Sequence, residues 1–392
     1  MRRRYWGIVA GIFGVTAILN IMAWNSRAFC DWYVDNLFPV WGHTYGRLSD
    51  LSSLSIGEMM IAIAAVLIVI AIVLGLVAVI FILSGKKEKC RWIRPYMRIF
   101  VAILAIVCLI MTLNCYMLYH SSTFEEKYLE EYMLGENEYS IEELAELRDI
   151  IVARANTLSK QVPRDEKGYV VYEGDMAEEA KEAMMALGED YPQLSGYYTT
   201  PKAFSASEFF SQQYMKGYYF PFSLEANYND VMYLANKPAT MCHELAHTKG
   251  FIYEDEANMI AFLACIRSDD PVFQYSGYLS ILTYINNDFI TSIDHNKEIY
   301  DRHTKVSSLV KRDNVFLTPD AWEQVEEKAV IKTETVKKAS MKFVETNLQA
   351  NGLEQGMANY SEVVGLLMDY YVCGVDDVIS REVYVAELNA SH

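Results

Sequence analysis

His243-Glu244-Leu245-Ala246-His247 is the stretch of this 392-residue chain whose residue types and spacing suit hydrolytic chemistry. On a helix, positions i and i+4 lie one turn apart on one face, so the two imidazoles can hold a single metal ion between them. Zinc suits such a pair, and water bound to zinc gives up its proton near about pH 7. Glu244, beside the first imidazole, can take that proton while the water attacks a carbonyl. The spacing therefore predicts His243 and His247 as metal ligands, Glu244 as general base, and one zinc ion per chain.

Two imidazoles leave zinc one protein ligand short. Downstream stand Glu254-Asp255-Glu256-Ala257-Asn258, then an apolar run over residues 259–266. A helix is predicted over 239–249, ended by Gly250, and a second over 255–266. The short link between them makes a tight hairpin, which brings a carboxylate of the second helix opposite the imidazoles. Glu254 is the predicted third ligand, with Asn258 one turn on as a hydrogen-bonding neighbour. Glu256, on another helical face, is the alternative. The competing reading of Glu254 is a solvated acid at a helix start, with no metal, a position that acids favour in any case. Candidate donors to an oxyanion are Tyr253, Tyr275, Tyr278, His295 and His303, none singled out in a chain with 28 tyrosines. Cys242 and Cys265 read as small core residues, although an oxidising compartment would permit a disulfide.

These residues lie in an acidic half of the chain. Residues 1–119 hold 11 Lys/Arg and 5 Asp/Glu, a net of +6, whereas residues 120–392 hold 23 and 46, a net of −23. So acidic a region speaks against nucleic acid as a partner. Its predicted elements are mostly helical. A capping box of Ser140 and Glu143 opens a helix to about residue 160, and others cover 175–187 and 271–287. One long helix is predicted from Thr318-Pro319 to about 350, closed by Asn351-Gly352, and a last one over 360–371. Strands are predicted at 169–172 and, as an edge strand, at 218–222, where a peptide could add by strand pairing.

The basic half reads as a membrane anchor. Residues 5–24, 59–83 and 99–119 are apolar runs without charge, each long enough to cross roughly 30 Å of hydrocarbon. Trp6, Trp24, Tyr116 and Tyr119 stand at run ends, where aromatic rings favour the interface. Arg2, Arg3 and Arg4 precede the first run, and six cations from Lys86 to Arg98 fill the link between the second and third. The positive-inside rule puts both on the cytoplasmic side, and three crossings then leave everything after residue 119 outside. The first run is read as an uncleaved helix rather than a signal peptide, being long and lacking a small-residue cleavage site.

The string CHELAHTKGFIYEDEAN, with YYFPFSLEANYN before it, YSGYL after it and NGLEQGMANYSEVVGLLMDYY near the end, resembles a bacterial membrane family, domain of unknown function 3810. The motif with its downstream Glu-x-x-Ala-Asn also resembles the gluzincin metallopeptidases, among them membrane families of the CaaX-prenyl-protease and beta-lactam-sensor type. By that pattern His243, His247 and Glu254 match the ligands and Glu244 the base, while Asn258 stands where many members have Asp. A metzincin arrangement fits less well, because Tyr253 occupies the third-histidine position. An intramembrane protease is disfavoured by the charges that flank the motif, Lys249, Glu254, Asp255 and Glu256.

The reading that results is an α+β, mostly helical chain with two parts. Residues 1–119 form a three-span anchor with a cytoplasmic N-terminus. Residues 120–392 form an extracytoplasmic zincin-like domain that cuts a peptide or protein substrate, one that could lie near the bilayer. The alternative is a non-catalytic, zinc-stabilised membrane sensor or scaffold.

Overall fold

The computed structural model describes residues 2–129, 139–350 and 363–372. The chain divides into two compact units, residues 1–121 with 220–225, and residues 122–219 with 226–392.

Three helices of the first unit, spanning Arg3–Asn25, Ile56–Leu83 and Lys87–His120, are long and apolar enough to cross a membrane. They contain α1 (Arg2–Asn25), α3 (Ile56–Leu83) and α4 (Ile93–Met111), and they coincide with the apolar runs of the sequence. α3 leaves apolar side chains exposed all round its length, which suits hydrocarbon as solvent and not water. Between α1 and α3 the chain forms a further helix, α2 (Arg27–Asn36), opened by Ser26, whose hydroxyl accepts from the Phe29 N–H. The start of α3 is held twice. The Ser55 hydroxyl accepts from the Glu58 N–H, and the Glu225 carboxylate accepts from the Ile56 and Gly57 N–H groups at 3.2 and 2.8 Å. A charge at that helix end also meets the positive end of the helix dipole. Gly57 is required here, because a Cβ would fall 2.6 Å from the Phe220 ring.

The second unit is built around α10 (Glu254–Arg267). From Met259 to Cys265 every one of its side chains is buried, so neighbours cover it on all sides. α9 (Lys237–His247) and α11 (Pro271–Ser292) pack on it, and α6 (Ile141–Leu158) packs on α11. α11 comes close to α10 at Gly277, where a Cβ would stand 2.7 Å from that of Cys265. α11 also sets the start of α9. The Ser276 hydroxyl accepts from the Ala239 N–H at 3.0 Å, one of the N-terminal donors the helix cannot satisfy itself. Further helices of this unit are α5 (Phe124–Tyr128), α7 (Met176–Leu187), α8 (Ser207–Gln212), α12 (Ser308–Asp313), α13 (Pro319–Lys328), α14 (Thr333–Ala350) and α15 (Val363–Val372), with a single helical turn at Lys297–Tyr300 before α12. Three short strands, β1 (Lys202–Ala203), β2 (Gly217–Phe220) and β3 (Glu225–Tyr228), form a sheet of order β1-β3-β2. β1 runs parallel to β3, with Lys202 opposite Asn227. The chain is thus mostly helical, with little sheet.

Two predicted elements differ. Residues 169–172 form no strand; a single bridge joins Arg164 to Val170, and the Val170 N–H donates instead to the Tyr233 hydroxyl. The single long helix expected from 318 to 350 is broken between α13 and α14, where Ala329 turns to extended backbone (ψ 112°) ahead of Val330 and Ile331. Two β-branched residues in sequence disfavour helix, and the pattern of apolar spacing gave that no weight. Asn351, Gly352 and the start of the predicted last helix lie outside the described residues; α15 covers the rest of it.

Candidate metal centre

His243 and His247 project from α9 one turn apart, as the i, i+4 spacing requires. The chain then reverses at Gly250, whose φ of +95° a side chain would resist. Phe251 is buried, and α10 opens at Glu254 with Tyr253 at its N-cap. The hairpin brings Glu254 across from both rings. Its Oε2 lies 3.1 Å from His243 Nε2 and 4.0 Å from His247 Nε2, and the two Nε2 atoms are 3.1 Å apart. Among the described residues these three are the His, Cys or acidic side chains grouped tightly enough to hold a metal ion.

The second nitrogen of each ring decides what the first can do. His247 Nδ1 lies 2.7 Å from the Phe251 carbonyl oxygen, which only accepts, so Nδ1 carries the proton. His243 Nδ1 lies 3.0 Å from Asn258 Oδ1 and donates in the same way. In the neutral rings both Nε2 atoms therefore bear lone pairs, and they face each other and a carboxylate oxygen with no proton between them. Three acceptors so placed repel unless a cation sits among them, either a metal ion or a proton shared by His243 with Glu254. Donors about 2.0–2.1 Å from one zinc ion stand about 3.3 Å from each other in a tetrahedral site, close to two of the separations here, 3.1 Å each, and shorter than the third, 4.0 Å between His247 and Glu254. The residues fit a divalent metal.

The electrostatics of the two rings differ: His247 is held neutral, whereas Glu254 favours the charged form of His243, whose proton a metal ion must displace. Burial, with the neighbouring His243 adding, holds His247 down at about 4, so it is neutral and free to ligate at ordinary pH. Burial also pulls His243 down, but the hydrogen bond and charge of Glu254 outweigh it and leave the ring raised. His247 is nearly enclosed, whereas His243 and Glu254 keep partial exposure, so the centre opens to solvent on their side.

Glu244 lies on the inner side of α9, buried, and accepts a hydrogen bond from the Tyr219 backbone N–H of β2. Its Oε2 has no hydrogen-bond partner. Burial pushes its carboxyl up to about 8, with His243 opposing and Glu254 adding. β2 reaches this carboxylate only because position 217 is glycine, since a Cβ there would fall 2.4 Å from Glu244 Oε1. That approach was invisible in the sequence, where Gly217 reads as the start of an aromatic run. β2 ends at Phe220, so Pro221 and Phe222 of the predicted edge strand lie beyond it, and it does stand at one edge of the sheet among the described residues.

Glu256 takes a different task from the one considered for it. It is buried on another face of α10, away from the imidazoles, and accepts from the Phe124 N–H at the start of α5. The oxyanion candidates also separate. Tyr275 donates to Asp313 at 2.9 Å and His303 pairs with Asp149 at 3.0 Å, so both are engaged elsewhere. Tyr284 of α11 was not singled out; its phenol is raised by burial and then by the charge of Glu254, which marks it as a neighbour of the centre. Cys242 and Cys265 are buried free thiols with sulfurs 3.9 Å apart.

Comparison with protein families finds a match to a family described as protein of unknown function (DUF3810), over residues 33–368. No curated protein and no solved structure matches. The matched span covers most of the chain and includes every residue of the centre, so the chain belongs to the DUF3810 family.

Proposed function

We propose that this chain is a membrane-anchored zinc metallopeptidase of gluzincin type, with His243, His247 and Glu254 as ligands and Glu244 as general base. The observation that carries the reading is the buried Glu244, adjacent to three converging acceptors and holding one carboxylate oxygen without a partner. A buried carboxylate with an unpaired oxygen is costly to keep in a purely structural site. A zinc ion bound there supplies Lewis acidity towards a water molecule and a peptide carbonyl. Glu244 takes the proton from the attacking water and hands it to the departing amine nitrogen. The Tyr219 N–H holds one oxygen of that carboxylate and leaves the other for the water. A peptide lying along β2 brings its scissile bond to this carboxylate, and the three apolar helices of the chain suit a peptide or protein substrate near the bilayer. By the positive-inside argument the N-terminus is cytoplasmic and the centre extracytoplasmic.

The reading makes metal affinity depend on pH. Without metal, Glu244 is largely protonated at neutral pH, its folded value of about 8 lying above the usual 4.5. A nearby cation favours the carboxylate, so binding releases a proton. Affinity then rises with pH up to about 8, by at most about tenfold per unit for one proton, and levels above it. Competition between the full-length protein in detergent and a fluorescent zinc chelator, from pH 6 to 9, measures this. Glu244→Gln should flatten the part of the slope above pH 7. A wild-type slope identical to that of the variant contradicts the pairing of Glu244 with the metal. Peptide hydrolysis abolished by a chelator and restored by zinc tests the activity itself.

A further inference from the structure

Cys242 and Cys265 belong to the two helices of the metal centre but take no part in holding a metal. Cys242 precedes the ligand His243 on α9, and Cys265 follows Glu254 on α10 by three helical turns. Their sulfurs are 3.9 Å apart, with the Cys265 thiol donating to the Cys242 sulfur. Both side chains are fully buried, and α11 lies against Cys265 at Gly277. Among the described residues of the second unit these are the only cysteines, since Cys30, Cys90, Cys108 and Cys115 belong to the first. The two meet although they are 23 positions apart in sequence. Thiols in contact on two packed helices are within reach of a disulfide.

What such a bond would enclose sets this pair apart from ordinary core packing. The loop that it closes, residues 242–265, contains His243, Glu244, His247 and Glu254, the whole candidate centre. A cross-link acts chiefly by restricting the unfolded chain, so it ties α9 to α10 whether or not a metal does. Without a metal the facing acceptors of the centre push the two helices apart, and a second tie there has a load to carry.

We propose that Cys242 and Cys265 are joined by a disulfide in the exported protein, a covalent tie near the open end of the metal-centre hairpin. The bond forms by exchange with the disulfide of a carrier protein in the cell envelope. One thiol attacks the carrier, the second attacks the resulting mixed disulfide, and the carrier leaves as a dithiol. Two electrons and two protons pass from this chain to the carrier, and no other oxidant is consumed. Both sulfurs are buried in the finished fold, so the exchange precedes the closing of α11 on α10, and the bond is sheltered from reductants afterwards. The proposal is independent of the peptidase reading but rests on the extracytoplasmic placement of this unit, because the cytoplasm keeps thiols reduced.

The test uses the full-length chain as cells make it. Cells are quenched in acid to stop thiol exchange, and the denatured protein is treated with a maleimide-polyethylene glycol reagent that adds a fixed mass to each free thiol. The chain has seven cysteines, and at least two fewer should react before reduction than after it. Trypsin cuts after Lys249, so mass spectrometry of the unreduced digest should find the peptide of Cys242 linked to that of Cys265. In Cys242→Ala the remaining Cys265 should react without reductant. Because the protein is denatured before labelling, this result does not depend on how well the variant folds. Both cysteines reactive before reduction, or Cys242 linked to a different cysteine, overturns the proposal. Lys297→Cys, at an exposed position, reports the side of the membrane through an impermeant maleimide added to intact spheroplasts. Free thiols at 242 and 265 with position 297 labelled from outside sink the disulfide alone. Free thiols with position 297 labelled only after lysis sink the extracytoplasmic placement along with it.

Discussion

Glu244→Gln is expected to lower peptide hydrolysis by about two to four orders of magnitude while leaving the metal in place, the range that removal of a general base produces. The amide keeps the size of the side chain and can still accept from the Tyr219 N–H, but it cannot take a proton from water. None of the three ligands is touched, so metal content should stay at the wild-type level. The same substitution has a second signature in the metal-free protein. A carboxyl raised from 4.5 to about 8 is penalised in the folded state as pH rises between those values, and the penalty is complete above about 8. The neutral amide escapes it, so metal-stripped Glu244→Gln should melt at a higher temperature than metal-stripped wild type at about pH 8.5 and show no such gain at about pH 4.5. Unchanged hydrolysis in the variant would remove Glu244 from the chemistry and favour a scaffold held together by its metal.

Asp313→Ala is expected to give the largest loss of stability away from the centre. Asp313 is buried at the end of α12 and is the shared acceptor of three donors. Arg164 reaches it at 2.6 Å, the Tyr275 hydroxyl at 2.9 Å and the Tyr233 hydroxyl at 3.0 Å. Removing the carboxylate leaves the Arg164 guanidinium without its counter-charge, with only the Ser159 and Gly168 carbonyls as acceptors, and takes the acceptor from two phenols; the loss is about 3–5 kcal/mol, on the order of 10 °C in melting temperature for a unit of this size. Tyr233 leads through the turn Leu234–Asn236 into α9, so the cluster also fixes where the helix of the two imidazoles begins. Thermal unfolding of the full-length protein in detergent checks this. A melting temperature within about 2 °C of wild type would mean that the cluster is solvated and not a structural anchor.

What could be read from the sequence was what depends on local spacing. The His243–His247 pair needs one helical turn, and α9 supplies it. The carboxylate of Glu254 needs only a reversal at Gly250, which a glycine after a helix announces. The apolar runs at 5–24, 59–83 and 99–119 needed nothing beyond composition, and each falls within a helix suited to a membrane. The rest depended on contacts distant in sequence. Gly217 is marked only by the carboxylate 27 positions later that it must clear. Glu256 and Glu254 are two residues apart and chemically identical, and only the helix phase, with Phe124 on one side and the imidazoles on the other, separates their tasks. Asp313 looks like any acid at the end of a short helix until Arg164, Tyr233 and Tyr275 converge on it. The break at Val330 was lost because a helix pattern continues on both sides of two β-branched residues.

The central claim is that Glu254, and not Glu256, completes a metal centre with His243 and His247. Elemental mass spectrometry of the purified full-length protein, beside Glu254→Ala and Glu256→Ala, tests it most directly. About one zinc per chain is predicted in the wild type, lost in Glu254→Ala and kept in whatever fraction of Glu256→Ala remains folded. A well-folded wild type without metal, or a Glu254→Ala variant that holds as much zinc as the wild type, would contradict it.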